Sequence, residues 1–190
     1  MKLRLDRHGW LHPANGVALV PSPHIDARPP ATRISLLVIH NISLPPGEFG
    51  GPWVEQLFTG NIDYSAHAWF ENLRGLRVCA HFFIRRDGSV VQFAPTTARA
   101  WHAGVSSFRG RERCNDYSIG VELEGTDHTP YTDSQYETLA KLTRVLRMRH
   151  PLTAVRGHEH IAPGRKSDPG PAFDWARYAR AAGWRPRQCP

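Results

Sequence analysis

The sequence predicts an α+β fold, a single domain built on a central mixed β-sheet flanked by α-helices. Apolar runs short enough for buried strands come early, at Ile34–His40 and Leu76–Arg85. Helical periodicity comes mostly late, after Thr132. A chain of 190 residues with 41% hydrophobic and 22% charged content can enclose one real core. Strands followed by helices in one domain imply helices packed against a sheet.

Residues 1–33 are rich in proline and polar side chains. Pro21-Ser22-Pro23-His24 and Arg28-Pro29-Pro30 read as extended chain, so this segment is expected to be mostly irregular and packed on the domain, which spans 1–190. Ile34–His40 follows as a buried strand ending at a histidine. Pro45-Pro46-Gly47 and Gly50-Gly51-Pro52 make residues 41–52 a loop, and Trp53–Phe58 a short helix after it. Leu76–Arg85 reads as the second strand. Asp87-Gly88 is a turn signal, and Ser89–Phe93 is the returning arm of a hairpin. Tyr117–Leu123 alternates as a further strand, with Glu122 and Glu124 on one face and Val121 and Leu123 on the other. Thr132-Asp133-Ser134-Gln135 is a capping-box pattern opening the clearest helix. Tyr136, Leu139, Leu142 and Leu146 form its core stripe, and Pro151 ends it. Ala154–Gly157 is a short strand, and Phe173–Ala182 a terminal helix with Asp174 near its start.

The net charge of +7 and pI of about 9.8 favour anionic partners. The arginines are scattered, with no compact basic run interleaved with aromatics, which argues against nucleic acid. A small substrate carrying several carboxylates accounts for the same bias, as does a solvated basic surface. Three cysteines, Cys79, Cys114 and Cys189, with no close pair argue against a disulfide framework. The start of the chain lacks the apolar stretch of a signal peptide, and no run approaches a membrane span. A soluble cytoplasmic monomer with no membrane partner is expected.

The segment from Gly157 to Gly170 is the most informative. It places His158, His160, Lys166 and Asp168 in a loop rich in proline and glycine. With a histidine from elsewhere, two imidazoles and one carboxylate form a set that holds Zn²⁺ with one coordination position open, which points to a hydrolase. His40, at a strand end, is the distant candidate. His158 lies ten residues before Asp168, a spacing that lets the loop fold back. Among the eleven histidines, His160 can substitute for His158 by position, and His81 and His102 are not excluded by spacing. Glu122 is either a paired or functional carboxylate in an apolar strand or an outward-facing one. Lys166 points either into the same cavity or into solvent.

At these residues the sequence resembles the AmpD-type anhydromuramyl amidases, zinc enzymes of bacterial cell-wall recycling. The matching blocks run from Val38 to Trp53, Arg77 to His81, Arg99 to Ser107, Gly110 to Asp116, Ser118 to Thr126, and His158 to Pro171. They are long, ordered and cover nearly the whole chain. The resemblance implies an amidase or peptidoglycan-recognition-like fold and one zinc amidase domain. It implies zinc held by His40, His158 and Asp168, with Glu122 as acid/base and Lys166 stabilising the oxyanion. It places Asn41, Arg77, Trp101 and Arg113 on the sugar side of the substrate and Arg165 at the peptide carboxylates. Glu159-His160 departs from the family pattern and sets a spare imidazole beside the metal loop, expected to be exposed or to sit behind the ligands.

The implied reaction is hydrolysis of the amide between the lactyl group of N-acetyl-1,6-anhydromuramic acid and L-alanine. A muropeptide-binding module that does not cut, and a secreted amidase acting on intact wall, are the competing expectations. The complete set of ligands argues against the first. The lack of a signal peptide or wall-binding module argues against the second.

Overall fold

Leu36, Leu37, Val38 and Ile39 have no solvent exposure at all, and the strand they form lies inside the main sheet. The computed structural model describes residues 2–190. In chain order the strands are β1 (Val17–Leu19), β2 (Ile25–Asp26), β3 (Leu36–Ile42), β4 (Phe82–Ile84), β5 (Val90–Gln92), β6 (Arg99–Ala100), β7 (Ser107–Phe108), β8 (Arg111–Glu112), β9 (Ser118–Glu124) and β10 (Ala154–Gly157). The helices are α1 (Trp53–Thr59), α2 (Asp133–Arg149), α3 (His158–Ile161) and α4 (Trp175–Ala182), with a 3₁₀ helix at Ala68–Leu73.

Six strands make one mixed sheet in the order β1-β5-β4-β9-β3-β10. β10, β3, β9 and β4 run parallel, β4 and β5 form the antiparallel hairpin, and β1 adds parallel to β5. The expected α+β class with a central mixed sheet is what forms. Every residue of β9 is buried, as a central strand covered on both faces requires. Along β9, Ile119, Val121 and Leu123 enter the larger core with Leu139, Leu142 and Leu146 of α2 and Tyr178 of α4. Leu37 and Ile39 of β3 join that core, whereas Leu36 and Val38 enter a separate cluster with Cys114 and Ile161. This alternation sends His40 to the face away from α2.

The helix boundaries follow local chemistry. Thr132 Oγ1 accepts from the Gln135 backbone N–H at 3.1 Å, and Gln135 Oε1 accepts from the Thr132 N–H at 3.0 Å, completing the capping box. Asp174 caps α4 by accepting from the Arg177 N–H at 2.8 Å.

One expectation needs correction. The strand expected over Leu76–Arg85 is confined to Phe82–Ile84. Ahead of it the backbone leaves the ladder, because the Leu76 N–H turns back to the Leu73 carbonyl and the Cys79 N–H donates to the Trp101 carbonyl, outside the main sheet. Before residue 34 the described chain is mostly irregular, with two short strands in it. Val17–Leu19 extends the sheet edge and Ile25–Asp26 pairs with β6, and neither stretch contains a proline that would remove a ladder donor.

His150, at the end of α2, is buried with Nε2 2.8 Å from Thr96 Oγ1. Burial and the facing guanidinium groups of Arg149 and Arg28 push its pKa down to about 4. The folded state therefore binds fewer protons than the unfolded chain below about pH 6.5. Its contribution to stability is present above about pH 6.5 and is lost as pH falls through about 4. Melting temperatures measured from pH 7 to 4 are expected to fall more steeply for the wild type than for His150→Gln.

Candidate metal centre

The parallel register sets the site. Gly157 of β10 pairs with Ile39 of β3, and Ile39 pairs with Val121 of β9. The next residues in this row are His158, His40 and Glu122, and His40 and Glu122 are register partners. Three site residues thus emerge side by side at the C-terminal ends of adjacent parallel strands, where open α/β sheets place their ligands. Asp168 reaches the same point because its loop folds back. The Glu159 N–H donates to the Asp168 carbonyl at 2.9 Å, and the Arg165 and Lys166 N–H groups both donate to the Ala162 carbonyl at 3.1 Å.

His40 Nδ1, His158 Nδ1 and Asp168 Oδ2 form a triangle with edges of 3.0, 3.0 and 3.1 Å. They are the one group among the described residues with donor atoms close enough to hold a metal ion. The ring nitrogens facing away are committed elsewhere. His158 Nε2 lies 3.0 Å from the Ala103 carbonyl, which can only accept, so the proton sits on Nε2 and the Nδ1 lone pair is free. Zinc–ligand bonds of roughly 2.0–2.1 Å set tetrahedral ligand atoms about 3.3 Å apart, close to the observed edges. Two nitrogen donors and one carboxylate oxygen converging on one point therefore fit such an ion. Burial pushes the His40 pKa down to about 4 against the pull of Asp168, so its imidazole is a neutral donor at pH 7. Burial works against the Asp168 carboxylate, but His158 and His40 outweigh it and hold its pKa below the usual carboxylate range.

Glu122 is 8% exposed, which rules out the outward-facing reading. Its Oε2 has no hydrogen-bond partner among the described residues. Glu124, on the same strand face, accepts from the Gly50 N–H at 2.6 Å and the Arg86 N–H at 2.9 Å. Two carboxylates two residues apart thus have opposite environments. Burial raises the Glu122 pKa well above the usual range, nearby Asp168 raises it further, and Lys166 opposes both.

These groups open into one cleft of about 560 Å³, which Lys166 and Asn41 also line. Leu57, Phe58, Trp69 and Leu76 form its apolar wall. The Asn41 amide donates to Asp127 Oδ1 at 2.7 Å and to the Pro169 carbonyl at 3.2 Å. Arg113 and Arg165 line a different groove of about 660 Å³. Arg165 donates to the Ala103 and Val105 carbonyls at 2.7 and 2.6 Å, and Arg113 pairs with Asp116 at 3.1 Å. Arg77 is exposed, and Trp101 is half-buried and stacked on His24 with ring centroids 6.1 Å apart. Neither lines the cleft.

The open alternatives among the histidines separate clearly. His160 is exposed and turns to Trp175, at 5.6 Å between ring centroids. His81 is 3.1 Å from the Ala98 carbonyl and accepts from the Gly120 N–H, away from the cluster. His102 stands behind His40, with Nδ1 2.9 Å from His40 Nε2. Sequence reasoning did not single out Asp127 or Ser118, the second of which touches His102 at 3.1 Å. The sequence signal for Ser118 is the alternation Ser118-x-Gly120-x-Glu122 on a single strand face, and Asp127 has none.

Residues 30–171 match the family described as N-acetylmuramoyl-L-alanine amidase. The chain belongs to this amidase family. Over 172 residues, covering 90% of each chain, this amidase is 61% identical to the 1,6-anhydro-N-acetylmuramyl-L-alanine amidase AmpD of Citrobacter freundii. A crystal structure of selenomethionine AmpD superposes on the amidase with a TM-score of 0.88 at 58% identity, covering 93% of this chain and 98% of that one. The Escherichia coli amidase AmiD, solved with anhydro-N-acetylmuramic acid-L-Ala-D-γ-Glu-L-Lys as substrate, gives a TM-score of 0.59 at 25% identity over 95% of this chain and 65% of that one. These likenesses agree with the amidase-like fold expected from the sequence.

Calorimetric titration of the metal-stripped amidase with Zn²⁺ is expected to show one site. The Asp168→Ala variant is expected to lose it, and full-strength binding in that variant would rule out the ligand triangle.

Proposed function

We propose that this protein hydrolyses the amide bond between the lactyl group of N-acetyl-1,6-anhydromuramic acid and L-alanine, in the recycling of cell-wall muropeptides. The observation that carries the reading is the triangle of His40, His158 and Asp168 beside Glu122, a buried carboxylate whose Oε2 has no partner. The 61% identity to an enzyme named for this bond supports the choice of substrate.

His40, His158 and Asp168 hold zinc, and Asp168 offsets one of its two charges. When bound, zinc supplies the Lewis acidity that makes water a nucleophile near neutral pH and polarises a carbonyl. Glu122 removes the proton from the attacking water as the new carbon–oxygen bond forms. It then delivers that proton to the leaving nitrogen as the carbon–nitrogen bond breaks, so L-alanine departs as an amine. The same burial that raises its pKa makes Glu122 a stronger base than a solvated carboxylate. Lys166 donates to the carbonyl oxygen as negative charge develops there.

Asn41, held by Asp127, offers its amide oxygen to the sugar side of the substrate. Arg165 borders the groove on the other side of the metal loop, where its guanidinium group suits the carboxylates of a stem peptide, and Arg113, expected on the sugar side, lines that same groove and not the cleft. Arg77 and Trp101 lie outside the cleft lining, so a sugar contact from either requires movement of its segment. The excess of seven positive charges favours capture of such an anionic peptide. The whole chain acts as one catalytic domain and as a monomer. Free Cys79 and Cys114, both buried, suit a reducing cytoplasmic setting.

Incubation with anhydromuramyl-tripeptide, read by mass spectrometry, is expected to release the free tripeptide. Recovery of intact substrate from zinc-loaded protein would overturn the proposal. Glu122→Gln is expected to retain zinc and lose turnover by roughly 10²–10⁴-fold. Lys166→Met is expected to lower kcat more than it raises KM, and the opposite split would make Lys166 a binding group.

A further inference from the structure

His102 is outside the triangle of His40, His158 and Asp168, yet its ring fills the space between His40 and Gly120 of β9. His40 Nε2 lies 2.9 Å from His102 Nδ1, and His102 Nε2 lies 3.1 Å from Ser118 Oγ. The His40 and His102 rings meet edge to face, with centroids 5.0 Å apart and planes at 85°. Gly120 makes the room. A Cβ there would come within 2.5 Å of His102 Cγ and 2.6 Å of its Nδ1. The backbone beneath is fixed separately, because Asn115 Oδ1 accepts from the N–H groups of His102 and Ala103 at 3.2 and 2.8 Å.

A neutral imidazole carries one N–H. His40 can present a lone pair at Nδ1 only when its proton is on Nε2. From Nε2 that proton points at His102 Nδ1, which must then be the acceptor. The proton of His102 consequently sits on Nε2 and donates to Ser118 Oγ. The reverse arrangement places a proton on His40 Nδ1, facing His158 Nδ1 and Asp168 Oδ2, and removes the donor.

We propose that His102 is a positioning residue that holds His40 in its Nε2–H tautomer and so keeps the Nδ1 lone pair available to the ion, with Ser118 Oγ accepting a hydrogen bond from His102 Nε2–H. The proposal rests on the reading of His40, His158 and Asp168 as zinc ligands. It gives a purpose to one face of β9: a hydroxyl at 118, an empty Cβ position at 120 that admits the ring, and the base at 122. An imidazole orients its neighbour without adding negative charge, so Asp168 remains the one anionic ligand and the electrophilic character of the centre is preserved.

The test measures zinc affinity by competition with a chromogenic chelator, alongside melting of the metal-free protein. His102→Leu is expected to weaken zinc binding roughly 10–100-fold, the usual consequence of losing such a partner. His102→Asn, whose Oδ1 can stand where Nδ1 stood, is expected to recover most of that loss. Lower melting temperatures in both variants with unchanged zinc affinity would reduce His102 to packing and overturn the proposal. Long-range ¹H–¹⁵N spectra of the zinc-loaded wild type read the tautomers without any substitution. Nε2–H forms for both His40 and His102 are expected, and an Nδ1–H form of His102 overturns the proposal even if neither variant folds. A wild-type chain that takes up no zinc sinks the ligand assignment as well, which separates the two failures.

Discussion

The register of three parallel strands governs this molecule. β10, β3 and β9 are aligned so that one row of residues at their C-terminal ends reads His158, His40 and Glu122. A slip of one residue in β3 would turn His40 into the core beneath α2 and bring Ile39 or Asn41 to the cleft. Such a slip is opposed by every apolar residue of the strand. Leu37 and Ile39 belong to the core shared with α2, while Leu36 and Val38 belong to the opposite cluster. The burial that stabilises the fold is therefore the same burial that aims the functional side chains, and the two cannot be separated by substitution within these strands.

The polar groups at the row's end show how differently a sheet can treat similar side chains. Glu124 is bound by two backbone N–H groups and completes a loop junction. Glu122 is left with an unpartnered oxygen in a nearly closed environment. An unmatched buried carboxylate is costly, and such groups cluster at functional sites. The same division holds among the histidines. His150 and His81 are tied into the scaffold, His40 and His158 face one another across the carboxylate, and His102 links the two groups.

The cleft and the basic groove meet at the Ala103 carbonyl, which accepts from both His158 Nε2 and Arg165. The orientation of His158 and the position of a groove-lining arginine thus share one peptide group. Strain placed on the loop around Ala103 would reach the metal site directly, through a hydrogen bond rather than through the core.

The sequence by itself determined the elements whose signal is local. The capping box at Thr132, the helical stripe from Tyr136 to Leu146, the Asp87-Gly88 hairpin and the apolar strand that carries His40 depend on neighbours in the chain, and each formed, although that strand runs from Leu36 to Ile42 and does not end at His40. The order and length of the matching blocks also sufficed to assign the family. What local pattern left open was decided by contacts between distant segments. Spacing could not separate His158 from His160, or His40 from His81 and His102, because an imidazole's role depends on what faces each ring nitrogen. The extent of β4 was open for the same reason, since Cys79 gives its N–H group to Trp101, a residue outside the main sheet. Arg77, Trp101, Arg113 and Arg165 carry charge or ring surface wherever they sit, and only the tertiary structure decides which of them borders a cavity. Convergence of side chains more than a hundred residues apart is a property of strand register and loop closure, and neither is written in the identity of the residues that converge.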